Sequence, residues 1–228
     1  MSARGTALAM PKASPVRDAL VVVSEHPDIP AWVVDWCRRA GRAVQLQPAA
    51  GTPEACIGIV AGLAGRSVLV QRDATGGVAD GAADEAAVPQ AGGRLRPRVV
   101  AAVQDLPVDA AVLTDAAEAA EQLDAALVLA HGVPLSFGER SVGLSDALER
   151  GGQLLAEAAD LITSRYPGRT VTTRLVRMRP HELVGEELDA DLLVVGGSHQ
   201  RIPPRLGLVA SSALQHAPCP VLLSPRPA

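Results

Sequence analysis

Aromatic residues make up only 2% of this sequence, although hydrophobic residues make up 48% of it. The core must therefore be built from Ala, Val and Leu, which favours helices packed closely on a β-sheet over an aromatic-lined binding surface. An excess of positive charge is also missing, because the formal net charge is −4. A general nucleic-acid-binding protein normally has a basic surface, so nucleic acid is not an expected partner.

The sequence also lacks long hydrophobic runs and has few cysteines. No apolar run approaches the roughly 20 residues that span a bilayer, and residues 1–18 lack an apolar stretch of signal-peptide length. Cys37, Cys56 and Cys219 are widely separated, as expected of reduced thiols rather than of a disulfide framework. His26 and His181 have no partner at ligand spacing, so no metal site is expected. These absences predict a cytoplasmic protein without a membrane partner.

What is present divides into two parts, joined by a linker rich in Gly, Ala and acidic residues at 74–95. Residues 1–73 predict a small α/β lobe with strands at 19–24, 42–47 and 67–71 and helices at 29–40 and 52–64. Residues 96–228 predict strands at 98–104, 126–131, 169–177, 191–195 and 221–223, and helices at 107–124, 144–165, 180–188 and 208–215. This alternation is typical of α/β proteins with a doubly wound, parallel five-stranded sheet.

The most informative segment begins at Asp191. A buried strand ends at Gly196 and Gly197, a short helix begins near Leu208, and residues 216–221 read HAPCPV before a last apolar strand. This succession resembles the carboxyl-terminal signature of the universal stress protein family, in which the ending HAPCPV also occurs. The segments VVAAVQDLPVDAAVL at 99–113 and LVLAHGVP at 127–134 resemble the first two strands of that family.

The resemblance implies an adenine-nucleotide alpha hydrolase-like fold for residues 96–228. It makes residues 1–73 either a truncated, degenerate copy of the same unit or an unrelated α/β lobe.

Ligands of open α/β sheets bind at the carboxyl ends of the strands, where the strand order reverses. In residues 96–228 this places a site between the first and fourth strands. Glycines there let backbone amides approach a phosphate, and a helix start adds a favourable field. The candidate ligand- or nucleotide-binding residues are Val103, Gln104, Asp105, Val133, Gly196, Gly197, Ser198, His199, Arg201, Gly207, Leu208 and Val209. ATP or AMP is the candidate cofactor.

The predicted loop departs from the ATP-binding pattern of the family. His199 replaces the second glycine, and seven residues instead of nine separate it from Gly207. Leu208 replaces a Ser or Thr, and Gln104 replaces an Asp, with Asp105 one position late. A side chain at position 199 obstructs close backbone approach, so ATP binding is expected to be weak or absent.

The leading hypothesis is a non-catalytic, cytoplasmic stress-response or regulatory module, without catalytic residues or a bound cofactor. The alternative is an ATP- or AMP-binding universal stress protein with slow nucleotide hydrolysis. A third hypothesis is a sensor for an anion held by Ser198, His199 and Arg201.

The last strand of the family often pairs across a dimer axis. Val221, Leu222 and Leu223 are therefore predicted either to form a homodimer or to be covered by the amino-terminal lobe.

Overall fold

The structure is a computed structural model that describes residues 19–49, 52–71, 96–133, 144–185, 188–197 and 205–226. These ranges contain eight strands and five helices. The strands are β1 (Ala19–Ser24), β2 (Ala43–Pro48), β3 (Ser67–Val70), β4 (Arg98–Ala102), β5 (Ala126–Gly132), β6 (Val171–Val176), β7 (Leu192–Gly196) and β8 (Val221–Ser224). The helices are α1 (Ala31–Arg39), α2 (Pro53–Gly62), α3 (Ala110–Gln122), α4 (Leu144–Arg165) and α5 (Leu208–His216).

The eight strands form one sheet in the order β2-β1-β3-β8-β7-β4-β5-β6. The five strands from β8 to β6 are all parallel to one another. This confirms the predicted doubly wound, five-stranded parallel sheet. The strand order reverses at β4, which lies between β5 and β7, so the switch point falls where the sequence predicted it.

The amino-terminal lobe continues this sheet instead of standing beside it. Strand β3 pairs antiparallel with β8, and the register matches Val70 with Val221 and Leu69 with Leu222. The last strand was predicted either to pair in a homodimer or to be covered by the amino-terminal lobe. In the structure, the amino-terminal lobe covers it. The hydrogen-bonding edge that a homodimer through Val221, Leu222 and Leu223 would need is occupied within the chain. Dimerisation itself, and a common origin of the two lobes, stay predictions.

Two hydrophobic layers enclose the sheet, one on each face. Helices α1, α3 and α4 pack on one layer, and α2 and α5 on the other. Fully buried Val and Leu side chains dominate the interior, as the scarcity of aromatic residues predicted. Helix α4 buries a stripe at helical spacing, and its buried members are Gly151, Leu155, Ala158 and Ile162.

Two predicted helices differ from the structure. Helix α3 begins at Ala110 rather than near Pro107, because residues 105–109 form turns in which the amide of Asp109 donates to the carbonyl of Asp105. The helix predicted from Pro180 is instead a run of turns over its described part, 180–185. Helix α2 begins as predicted, with the Thr52 hydroxyl accepting from the amide of Ala55 at 3.3 Å.

No helix among the described residues has both the length and the apolar character needed to span a membrane.

Candidate functional site

The carboxyl ends of β4 and β7 meet the start of α5 around a small cavity. Its volume is about 150 Å³, and its lining residues are Ala102, Gln104, Gly196, Gly207, Leu208, Val209, Ala210 and Arg226. This is the switch point of the sheet, where a ligand of this fold is expected. Pockets that enclose small ligands usually measure about 300–1,000 Å³. The cavity is smaller than these pockets.

A buried carboxylate organises the loop after β4. Asp109 is fully buried, and its Oδ2 accepts hydrogen bonds from the amides of Gln104 at 2.7 Å and of Asp105 at 3.1 Å. Asp109 immediately precedes α3, yet its side chain accepts no hydrogen bond from that helix. The carboxylate therefore binds the backbone before the helix and fixes the shape of the strand-to-helix turn.

A guanidinium group occupies the other side of this carboxylate. Arg226, two residues after β8, donates to Asp109 Oδ1 from Nε at 3.0 Å and from Nη2 at 2.7 Å. Nη2 also donates to Gln104 Oε1 at 3.2 Å. The Arg226 side chain is only 13% exposed, and that of Asp109 is not exposed at all. The pair thus fills the space between the ends of β4 and β7.

Glycine at position 196 makes this arrangement sterically feasible. A Cβ atom there would lie 2.5 Å from Arg226 Cζ and 2.7 Å from Nη2, which is closer than side chains pack. The guanidinium therefore rests directly against the backbone of β7. The neighbouring Gly197 donates its amide to the carbonyl of Ser224 at 2.7 Å, which holds the ends of β7 and β8 together.

The structure brings some of the predicted site residues to the cavity and places others elsewhere. Gln104, Gly196, Gly207, Leu208 and Val209 line it, and Leu208 is 79% exposed.

The remaining described candidates do not line the cavity. Val103 and Val133 are buried, and the carbonyl of Val103 lies 2.8 Å from His131 Nδ1. Asp105 is exposed and contributes its backbone amide, so the carboxylate at the site is that of Asp109 instead. Ser198, His199 and Arg201 lie outside the described residues.

Sequence reasoning missed the ion pair at the centre of the site. The sequence pattern places Asp109 inside a predicted helix. Asp105 is the predicted site carboxylate because it is the aspartate nearest to the end of β4. Arg226 is 117 residues from Asp109 in the chain, and no motif connects the two. The available signals were a charged residue two positions after a buried strand and a glycine at the end of β7.

A larger cavity of about 720 Å³ lies at the opposite end of the sheet, near the amino ends of β5 and β6. Its charged lining residues have both signs: Arg96, Arg165, Arg169, Glu121 and Asp124. Ligands of this fold bind at the other end of the sheet, so we place the candidate site at the smaller cavity. Among the described residues, no group of three or more His, Cys, Asp and Glu side chains is arranged to hold a metal ion.

Comparison with known proteins defines the class to which this fold and site belong. The model of the universal stress protein family matches residues 96–225, which is more than half of the chain. The chain therefore belongs to the universal stress protein family. A search of curated proteins found no match.

Solved structures of this family resemble part of the chain. A universal stress family protein from Burkholderia pseudomallei is 26% identical, with a TM-score of 0.45, over 58% of this chain and 98% of its own. UspA from Lactobacillus plantarum is 19% identical, with a TM-score of 0.44, over 58% of this chain and 99% of its own. A universal stress protein from Archaeoglobus fulgidus in complex with dAMP is 26% identical, with a TM-score of 0.41, over 55% of this chain and 94% of its own.

Proposed function

We propose that this universal stress protein is a non-catalytic regulatory module whose nucleotide site no longer binds ATP tightly. The observation that carries the proposal is the position of Arg226, which lies against Gly196 and is bound to Asp109 and Gln104. With this side chain in place, the cavity at the switch point has a volume of about 150 Å³.

The charge of the site supports the same conclusion. Arg226 and Asp109 neutralise each other across 2.7 Å, so the pair offers a triphosphate no net positive charge. If Arg226 left, the buried carboxylate of Asp109 would remain and repel an anion. Gly207 precedes α5 and leaves the first amides of that helix near the cavity, but a helix start alone contributes only about 0.3–1 kcal/mol.

The same pair argues against a catalytic role. Both oxygens of Asp109 accept hydrogen bonds, Oδ1 from the guanidinium and Oδ2 from two amides. A carboxylate held in this way is poorly placed to take a proton from water or to hold Mg²⁺ beside a phosphate. We also propose a cytoplasmic location, which the small number and wide separation of the cysteines in the sequence support.

Isothermal titration of the full chain with Mg·ATP and with AMP tests the proposal. We expect a Kd weaker than about 1 mM for Mg·ATP, which corresponds to less than about 4 kcal/mol of binding free energy. The variant His199→Gly restores the glycine of the family pattern but leaves Arg226 in place, so we expect its affinity to stay weak. Micromolar binding of ATP to the unaltered chain, or stoichiometric ATP in the purified protein, would contradict the proposal.

The alternative is slow hydrolysis of a bound nucleotide, and phosphate release measures it directly. We expect no release from Mg·ATP above the protein-free rate. Release that is lost in Asp109→Asn would instead support an enzyme and assign a role to that carboxylate.

A further inference from the structure

We propose that Asp109, Gln104 and Gly196 form a guanidinium-binding site, which Arg226 of the same chain occupies. The ligand class of the switch point is then a guanidinium group instead of a phosphate. The inference rests on the proposed function, since it names the chemistry that has replaced triphosphate binding at the same place.

The hydrogen-bond geometry fits a guanidinium and not merely a positive charge. Two donors on one edge of the Arg226 group, Nε and Nη2, converge on Asp109 Oδ1, and Nη2 also reaches Gln104 Oε1. These donors lie in one plane at fixed angles, whereas the ammonium of a lysine is a compact point charge on a flexible stem. Recognition of two neighbouring N–H donors by these acceptors therefore selects arginine-like chemistry.

The Asp109 carboxylate is held in position by groups other than Arg226. The amides of Gln104 and Asp105 bind Asp109 Oδ2 and leave Oδ1 directed at Arg226. Because Asp109 is fully buried, loss of its cation would leave an uncompensated charge in the protein interior. The site therefore requires a cation, and two backbone amides hold its carboxylate in position.

The shape of the site also fits a flat group. Because Gly196 has no side chain, the guanidinium lies directly against its backbone, and a Cβ atom at this position would collide with the guanidinium. The rest of the cavity is lined largely by small or apolar residues: Ala102, Gly207, Leu208, Val209 and Ala210. A planar cation with an alkyl stem matches these surroundings, and a hydrated phosphate chain does not.

Chemical rescue of Arg226→Ala tests the inference. This variant removes the guanidinium but leaves Asp109, Gln104 and Gly196 unchanged. We expect methylguanidinium at millimolar concentration to bind it saturably and raise its melting temperature, with no saturable effect on the unaltered chain. N-methylurea has nearly the same shape without the charge, and we expect no rescue from it. In Arg226→Ala/Asp109→Asn the affinity for methylguanidinium should fall by about tenfold or more, as for a lost charge-assisted hydrogen bond.

The source of the guanidinium can be distinguished with a peptide. An acetylated Ser-Pro-Arg-Pro amide copies residues 224–227. Tighter binding of this peptide than of methylguanidinium to Arg226→Ala would favour the arginine of a protein segment, and equal binding would favour a small guanidinium compound.

Failure to rescue folded Arg226→Ala would overturn the inference, as would stabilisation by inorganic phosphate or ATP in place of methylguanidinium. Should that variant not fold, the Nε–H signal of Arg226 in the unaltered chain provides a second measurement. It should exchange slowly with water and be absent in Arg226→Lys, and rapid exchange would overturn the inference. Tight Mg·ATP binding by the unaltered chain is a separate outcome. It would contradict the proposed function and the replacement of triphosphate binding, whereas the rescue experiment decides whether a guanidinium binds to Asp109, Gln104 and Gly196.

Discussion

Arg42 of the amino-terminal lobe and Asp115 of helix α3 form an ion pair of 3.1 Å, in which the side chains are 5% and 0% exposed. The Arg42 guanidinium also lies 5.1 Å from the ring centre of Trp36, and the indole of Trp36 donates to Glu118 at 3.2 Å. This contact joins the two parts of the chain on one face of the sheet. Together with the β3–β8 pairing, it makes the amino-terminal lobe an integral part of the fold.

The first prediction concerns this buried pair. We expect Arg42→Ala to lower the free energy of unfolding by about 3–5 kcal/mol, because it removes the buried cation that pairs with the Asp115 carboxylate. The matched control is Arg38→Ala, which breaks the pair with Asp35 on the exposed side of α1. The side chains of that pair are 73% and 45% exposed, so its loss should cost less than about 1 kcal/mol. Urea denaturation followed by circular dichroism measures both, and equal costs would contradict the role assigned to Arg42.

Most of the fold could be predicted from the sequence because several of its strands are uninterrupted buried runs. All six residues of β1 and all five of β7 are buried, and such runs between turn signals indicate a sheet covered on both faces. The boundaries of α3 could not be predicted, because the turn before it depends on hydrogen bonds to the Asp109 side chain. The antiparallel pairing of β3 with β8 could not be predicted either, because hydrophobic periodicity identifies strands but not the strands with which they pair.

The sequence predicts where the candidate cavity lies, but not which side chains fill the space beside it. Strand order and the glycines located it between β4 and β7, and Gln104, Gly196 and Gly207 do line the cavity there. The occupant could not be foreseen, because the contact between Arg226 and Asp109 arises only when distant segments fold together. Departures from the family pattern predicted weak ATP binding, and the ion pair is the observation from which we propose the same.

The second prediction tests the cover of β8 by the amino-terminal lobe. Val70 and Val221 are directly opposite each other in the antiparallel pair, where Cβ atoms are typically about 4.5–5.5 Å apart. We expect Val70→Cys/Val221→Cys to form a disulfide within one chain, so that non-reducing electrophoresis shows a monomer at every protein concentration. The single variant Val221→Cys is the control. Covalent dimers of the double variant that increase with concentration would instead indicate that β8 pairs between two chains.

The third prediction concerns the pH dependence of stability. Burial raises the pKa of the Cys37 thiol, an effect that the nearby Arg42 partly opposes. The folded state therefore keeps this proton at pH values where the unfolded chain releases it, so the associated stability is complete below the unfolded pKa of about 8.5 and is lost as the pH rises further. Urea denaturation between pH 7.5 and pH 10.5 measures the loss.

Cys37→Ala provides the comparison for this measurement. Its absolute stability should be lower because a buried side chain is truncated, but its decline above pH 8.5 should be shallower than that of the unaltered chain. Parallel declines in the two proteins would contradict the assignment. In the native state at neutral pH, the thiol of Cys37 should also react slowly with thiol reagents, since it is buried and protonated.

The fourth prediction concerns the contact between Gly196 and Arg226. We expect Gly196→Ala to destabilise the protein by about 1–3 kcal/mol, because the added methyl group occupies the space of the guanidinium and separates it from the Asp109 carboxylate. If this collision is the cause, the same substitution should cost much less in an Arg226→Ala background, where the space is empty. A double-mutant cycle by urea denaturation then gives a coupling energy of about 1 kcal/mol or more between the two positions. If the losses of stability from the two substitutions are additive, Gly196 is required by the backbone conformation instead, and the contact between the guanidinium and β7 is contradicted.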